Sequence, residues 1–328
     1  MGLVALTGCT ATAPGPVRSS VVTDAAASDP AATAATTLDA VQDFWRQAFP
    51  VSFGTGWVEL RGGLRPLDSG ADGDGALCIA TPDQITGNAY YCPADDGIVY
   101  DTGVLVPVLT DHYGTGGLTA SLAHEFGHAV AARLGAPAEP LFRELQADCL
   151  AGAALAALIP ADQRITALAP LLDFGDQPSV TPADATAHGL SVDRAQGALL
   201  GLRGGPPACR DVGPGDIDVT LGRLTPPASR APRDLPPVTV SDADRALAAP
   251  LGDAALAAAA RLTAAAGDDT ARGCTVGRWM AEVFGEAGPD AVGGRLTDPD
   301  EALTFLRTRP DTSPDVVVGY LDGFAGRC

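Results

Sequence analysis

Between Leu118 and Leu134 the apolar residues return every three or four positions: Leu118, Leu122, Ala123, Phe126, Ala129, Val130 and Leu134. That is the period of one helix face, and Gly135 stands where such a helix stops. A second stretch, LFRELQADCLAGAALAALIP (141–160), predicts another long helix, ended by Pro160. Residues 37–49 (TLDAVQDFWRQAF) predict a third, with Thr37 as cap and Leu38, Val41, Phe44, Trp45 and Ala48 on one face. Segments 56–61, 76–80, 88–92 and 97–101 are short and bounded by Gly, Pro and Asp, so they read as strands of a small sheet. Helix and loop follow over 161–208. A Pro-rich stretch, 224–238, reads as a linker, and beyond it Ala-rich segments together with GCTVGRWMAEVFG and PDEALTFL, which read as amphipathic helices, predict a helical C-terminal region over 239–328. The class is therefore α+β, mainly helical, with one small sheet. No run of 18 apolar residues exists, so no transmembrane helix is expected.

The polar residues on the 118–134 helix change the picture. His124 and His128 lie four apart, hence on one face, with Glu125 between them. The chain has four His and seven Glu in 328 residues. His-Glu-x-x-His should then arise by accident in roughly one such sequence per thousand. The pair can point at one ion. A catalytic zinc needs three protein ligands and an open position for water. Glu144 and Asp148, again four apart, lie on the next helix among apolar neighbours, a poor fit to a solvated acidic face. Glu144 is the expected third ligand. Asp148 is expected to accept a hydrogen bond from a ligand histidine and fix its tautomer. His112, in LTDHYGTGG, matches no motif and reads as structural.

Charge and cysteines bound the setting. The net charge is −19, with Arg as the basic residue throughout, a poor match to nucleic acid. The N-terminus reads MGLVALTGCTATAPGP, and Leu6-Thr7-Gly8-Cys9 resembles a bacterial lipobox, which makes Cys9 the candidate lipidation site and residues 1–9 a short signal. Residues 10–36, rich in Ala, Thr, Pro and Ser, read as a flexible tether. Six further cysteines remain: Cys78, Cys92, Cys149, Cys209, Cys274 and Cys328. An even number in an exported chain suggests three disulfides. Fifteen pairings are possible, and the sequential one, 78–92, 149–209 and 274–328, is favoured. None of these cysteines shows the C-x-x-C spacing of a zinc site. An extracytoplasmic protein follows, lipid-anchored to the outer face of the cell membrane or secreted.

HEFGH followed by ELQADCLAG, with NAYYCPADDGIVYD upstream, resembles the neutral zinc metallopeptidase family of bacteria over residues 77–209; the Glu-x-x-x-Asp helix is shared more widely with glutamate-type zincins. HGLSVDR (188–194) resembles the His-Pro…Arg element of the membrane-bound CAAX prenyl and heat-shock zinc endopeptidases, with Gly189 in place of Pro. The resemblance implies a zincin-like catalytic domain over 37–223 and one catalytic Zn2+ held by His124, His128 and Glu144. It implies Glu125 as general base, and His188 and Arg194 as a pair serving the oxyanion of a peptide or protein substrate and organising the site. By analogy of fold, segment 97–101 would be the sheet edge along which an extended peptide lies. The competing expectation is a non-catalytic exported lipoprotein that keeps this fold to bind a partner or the cell wall. Retention of Glu125, which zinc binding does not need, favours the enzyme. A purely structural zinc site would need a fourth ligand, and none is apparent nearby.

Overall fold

The structure, a computed structural model, describes residues 29–176, 180–221, 238–287 and 298–328. Cys9, the 1–9 signal, positions 10–28 of the expected tether and nearly all of the Pro-rich stretch lie outside the described residues. The elements run α1 (Pro30–Phe53), β1 (Gly63–Leu67), β2 (Ala89–Cys92), β3 (Gly97–Asp101), α2 (Leu105–Leu134), α3 (Pro140–Leu158), α4 (Arg164–Ala167), α5 (Ala169–Asp173), α6 (Ser191–Gly204), α7 (Asp242–Ala248), α8 (Asp253–Ala264), α9 (Asp269–Ala287), α10 (Asp298–Thr308) and α11 (Pro314–Phe324). The protein is thus mainly helical with a three-stranded sheet. No helix among the described residues is long and apolar enough to cross a membrane.

Helix α1 begins seven residues before the expected start, so 30–36 is helix rather than tether. Asp29 accepts a hydrogen bond from the Ala31 amide at 3.0 Å and Pro30 occupies the first turn, both strong helix-start signals. The alanines that suggested a tether are the best helix formers. Thr37, expected as the cap, is buried in mid-helix. The face bearing Trp45 and Phe49 enters the main core, and Phe49 packs edge-on against Trp57, which stacks on Phe126 of α2.

Two of the four expected strands form where expected, β2 and β3. Residues 56–61 and 76–80 are not strands, and β1 lies between them at Gly63–Leu67. The strand order is β1-β3-β2, with β1 parallel and β2 antiparallel to β3. Segment 97–101 is therefore the central strand, buried along its whole length, and not the edge expected to receive a peptide. Its unbroken burial follows from cover on both faces: Ile98 and Tyr100 enter the main core, and Val99 packs in a second cluster with Ile85 and Cys92. The edge facing α2 is β2.

Asp101, at the end of β3, sets the start of α2. Its buried carboxylate accepts from the amides of Ser69, Gly87, Gly103, Val104 and Leu105 at 2.8–3.2 Å, supplying partners to the orphan donors of a helix start. Helix α2 is longer than the periodic stretch that predicted it. It is broken at Gly114 (φ 66°, ψ −174°), a conformation suited to Gly, so the apolar period restarts at Leu118. At Gly127 a Cβ would come 2.6 Å from the Ala147 carbonyl, so α2 and α3 touch backbone to backbone there. This contact sets the histidine face of one helix against the carboxylate face of the other.

All three disulfides of the sequential pairing form: Cys78–Cys92, Cys149–Cys209 and Cys274–Cys328. They point to an oxidising, extracytoplasmic compartment. The first tethers β2 and the second tethers α3, so both walls of the site described below are cross-linked.

One apolar cluster draws side chains from both sides of residues 222–237. The C-terminal helices also dock on α6 by polar contacts. Asp300 accepts from the Ser191 and Val192 amides at 3.3 and 3.1 Å, and Asp193 accepts from Leu190, Thr220 and Leu221. Both acids are fully buried. Burial pushes Asp193 up to about 6, against the pull of its amide partners; burial and the neighbouring Asp193 charge push Asp300 up to about 7. An unfolded Asp ionises near 3.8. Between about pH 4 and 7 the unfolded chain therefore holds fewer protons at these sites than the folded one, and their contribution to stability is lost as pH rises. Asp300→Asn stays neutral, so between pH 5 and 8 its stability relative to wild type should improve by on the order of 2 kcal/mol. Urea unfolding of the metal-free proteins at the two pH values measures this; an unchanged difference would mean that Asp300 keeps one charge state across the range.

Candidate metal centre

The ligand set assembles from two helices. His124 and His128 project from one face of α2, their ring centroids 4.8 Å apart and nearly perpendicular. Glu144 comes from the first turns of α3. Its Oε2 lies 3.3 Å from His124 Nε2 and 3.4 Å from His128 Nε2. The three ligand atoms lie within 4.8 Å of one another, so the group could hold a metal ion. The fit has independent support, since Glu144 Oε2 is buried and makes no hydrogen bond. A buried carboxylate oxygen without a donor is costly, and a cation between it and two imidazole nitrogens removes the cost. Burial works against the Glu144 charge, but the two histidines hold its carboxyl well below the usual range.

Behind the ligands, Asp148 Oδ1 lies 2.7 Å from His124 Nδ1. Burial alone would push His124 down; the Asp148 carboxylate outweighs it and raises the imidazole to about 10. Nδ1 faces Asp148 and Nε2 faces Glu144, so a metal bound at Nε2 would leave the ring proton on Nδ1, toward Asp148. Asp148 has a second partner. Arg194 donates from Nε to Oδ2 at 3.0 Å and from Nη2 to Oδ1 at 2.9 Å, and from Nη1 to the Phe174 carbonyl at 3.3 Å. Arg194 and Asp148 are buried almost completely. Arg194 was expected with His188 to serve the oxyanion and to organise the site; its guanidinium is held by Asp148, the residue that faces His124 Nδ1.

His188 lies in the loop before α6 and stays half-exposed, with Nε2 3.8 Å from Glu144 Oε2. Its position is set by Asp176, which accepts from the His188 and Gly189 amides at 2.6 and 2.7 Å. Gly189 has φ +99°, which a proline cannot adopt, so this loop position excludes proline. Asp176 carried no signal in the sequence, since nothing in its spacing links it to His188.

Glu125 stands outside the ligand set. Its Oε2 accepts from the Tyr91 amide of edge strand β2 at 2.8 Å. Two lobes of a cleft meet at this point and share Asn88, Ala89, His124, Glu125 and His188. The smaller, about 190 Å³, has Leu105, Leu171 and Phe174 as apolar walls; the larger, about 630 Å³, runs past His128 and Glu144 to Tyr90 and Arg143. His112 is exposed on the first part of α2 and lines neither lobe. Comparison of the chain with protein families, curated proteins and solved structures returned no match.

Proposed function

We propose that the protein is a zinc-dependent metallopeptidase of the glutamate-type zincin kind, related to the neutral zinc metallopeptidases that its motifs resemble. The observation that carries the reading is the convergence of three ligand atoms beside a carboxylate that is not one of them. His124, His128 and Glu144 would hold the ion, and two imidazoles with one carboxylate is a donor set suited to zinc with an open position. One divalent ion there supplies the Lewis acid that makes water a nucleophile near neutral pH. The remaining work falls to the chain. Asp148 holds the Nδ1 proton of His124 and keeps Nε2 as the ligand atom. Glu125 takes a proton from the attacking water as the new C–O bond forms, then delivers it to the amide nitrogen as the C–N bond breaks. The Tyr91 amide holds that carboxylate at the cleft wall. His188 Nε2, at the junction of the lobes, supplies a donor to the oxygen that gains charge. The disulfides and the lipobox-like Cys9 support a place outside the cytoplasm, on a lipid anchor or released.

The test is metal content by mass spectrometry on protein from residue 29 onward, beside Glu144→Ala, followed by a peptide-library cleavage screen. We expect about one zinc per wild-type chain, its loss or marked weakening in the variant, and cleavage by the zinc form alone. A folded wild type that takes up no zinc would overturn the reading and leave a binding protein in its place.

A further inference from the structure

The charge around the cleft departs from that of the molecule. The chain carries 40 acidic residues against 21 basic, yet among the described residues Glu125 and Glu144 are the only acids lining either lobe. A divalent ion held by His124, His128 and Glu144 would offset those two carboxylates. Arg194, which lines the smaller lobe, is neutralised by Asp148. What remains is Arg143, one position before Glu144 on α3. It is exposed, lines the larger lobe, and makes no ion pair among the described residues. Most other arginines of the described residues are tied to carboxylates or backbone carbonyls, as Arg133 is to Asp96 and Arg203 to Asp322. Arg143 shares this lobe with His128 and Glu144 of the ligand set and with the small residues Ala131, Ala132 and Ala136.

We propose that Arg143 is a specificity-determining residue that selects peptides carrying a carboxylate in the larger lobe. The inference rests on the peptidase reading and adds its substrate class. A guanidinium presents a planar fork that matches a carboxylate. Because Arg143 is solvent-exposed, the gain is modest and screened by salt. The carboxylate can come from an Asp or Glu side chain or from a free C-terminus.

The experiment uses zinc-loaded full-length protein and capped peptides of neutral residues, varied by one Glu, Gln or Lys at each position on either side of the cleaved bond. A parallel pair carries a free or an amidated C-terminus. Wild type should prefer Glu over Gln at one position by about fivefold in kcat/KM. Arg143→Gln should erase that preference, read as the ratio of kcat/KM for the Glu peptide to that for the Gln peptide. Arg143→Glu should invert it in favour of Lys. Raising the salt should shrink it. Peptide affinity for the Glu125→Gln protein should follow the same order, a readout independent of turnover. If the free C-terminus alone shows the effect, the carboxylate selected is the terminal one. Peptides cleaved regardless of charge, or a preference unmoved in Arg143→Glu, would overturn the assignment and leave the peptidase reading intact. A zinc-loaded protein that cleaves none of the set while Glu125→Gln binds the Glu and Lys peptides alike would remove both.

Discussion

Glu125→Gln should retain its metal and lose about 10³-fold in kcat/KM on any peptide the wild type cleaves. The two halves of this expectation have different origins. Metal retention follows because Glu125 contributes no ligand atom: the converging atoms belong to His124, His128 and Glu144. Fold retention follows because the hydrogen bond seen at the Glu125 carboxylate is one accepted from the Tyr91 amide, and a glutamine oxygen can still accept it. What the amide cannot do is take a proton from water and return it to a leaving nitrogen. Metal content, thermal unfolding and steady-state kinetics on the same preparations separate the three quantities. Full activity in this variant would remove Glu125 from the chemistry, whereas loss of metal would mean that its carboxylate belongs to the ligand set.

The parts of the site that were legible in the sequence are those in which a single helix fixes the spacing. His124 with His128, and Glu144 with Asp148, are i and i+4 pairs, and an α-helix leaves them no choice but to share a face. The small residue at Gly127 then lets the two faces meet. Arg194 shows where spacing fails. Six residues separate it from His188, and the resemblance placed both on the oxyanion. Helix α6 begins only at Ser191, so His188 belongs to a loop held by Asp176, while Arg194 belongs to the helix and is buried against Asp148 beside the smaller lobe. Two residues on different elements do not inherit one direction. The sheet failed for a related reason. The apolar run Gly97–Asp101 was recognisable as a strand, but its central position depends on β1, whose sequence GLRPL is only partly buried and carries Pro66. Nothing local distinguishes a strand with one partner from a strand with two. The start of α1 is marked by Asp29-Pro30, a local signal masked by the alanine-rich composition that follows it.

The buried Asp148–Arg194 pair gives the second large effect. In Asp148→Ala, His124 loses the acceptor for its Nδ1 proton, and the metal should bind about 10–100-fold more weakly. The same substitution leaves the Arg194 guanidinium buried without a counter-charge, which should cost about 3–5 kcal/mol in the metal-free protein. Unfolding has to be followed without metal, because a ligand that binds the native state alone would mix the two effects. A double variant, Asp148→Leu with Arg194→Met, parts them. Replacing both charges by apolar groups of similar size restores most of a buried pair's stability, so it should unfold within about 2 kcal/mol of wild type while its metal affinity stays as low as in Asp148→Ala. The asymmetry arises because the pair's stability depends on mutual compensation, whereas ligand orientation depends on Asp148 alone, which is 2.7 Å from His124 Nδ1. Arg194→Met alone should be the less damaging single change for the metal, since Asp148 keeps its bond to His124. If it weakened the metal as much as Asp148→Ala does, Arg194 would have to act on the ligands directly, through the 3.4 Å approach of its Nη2 to His124 Nδ1.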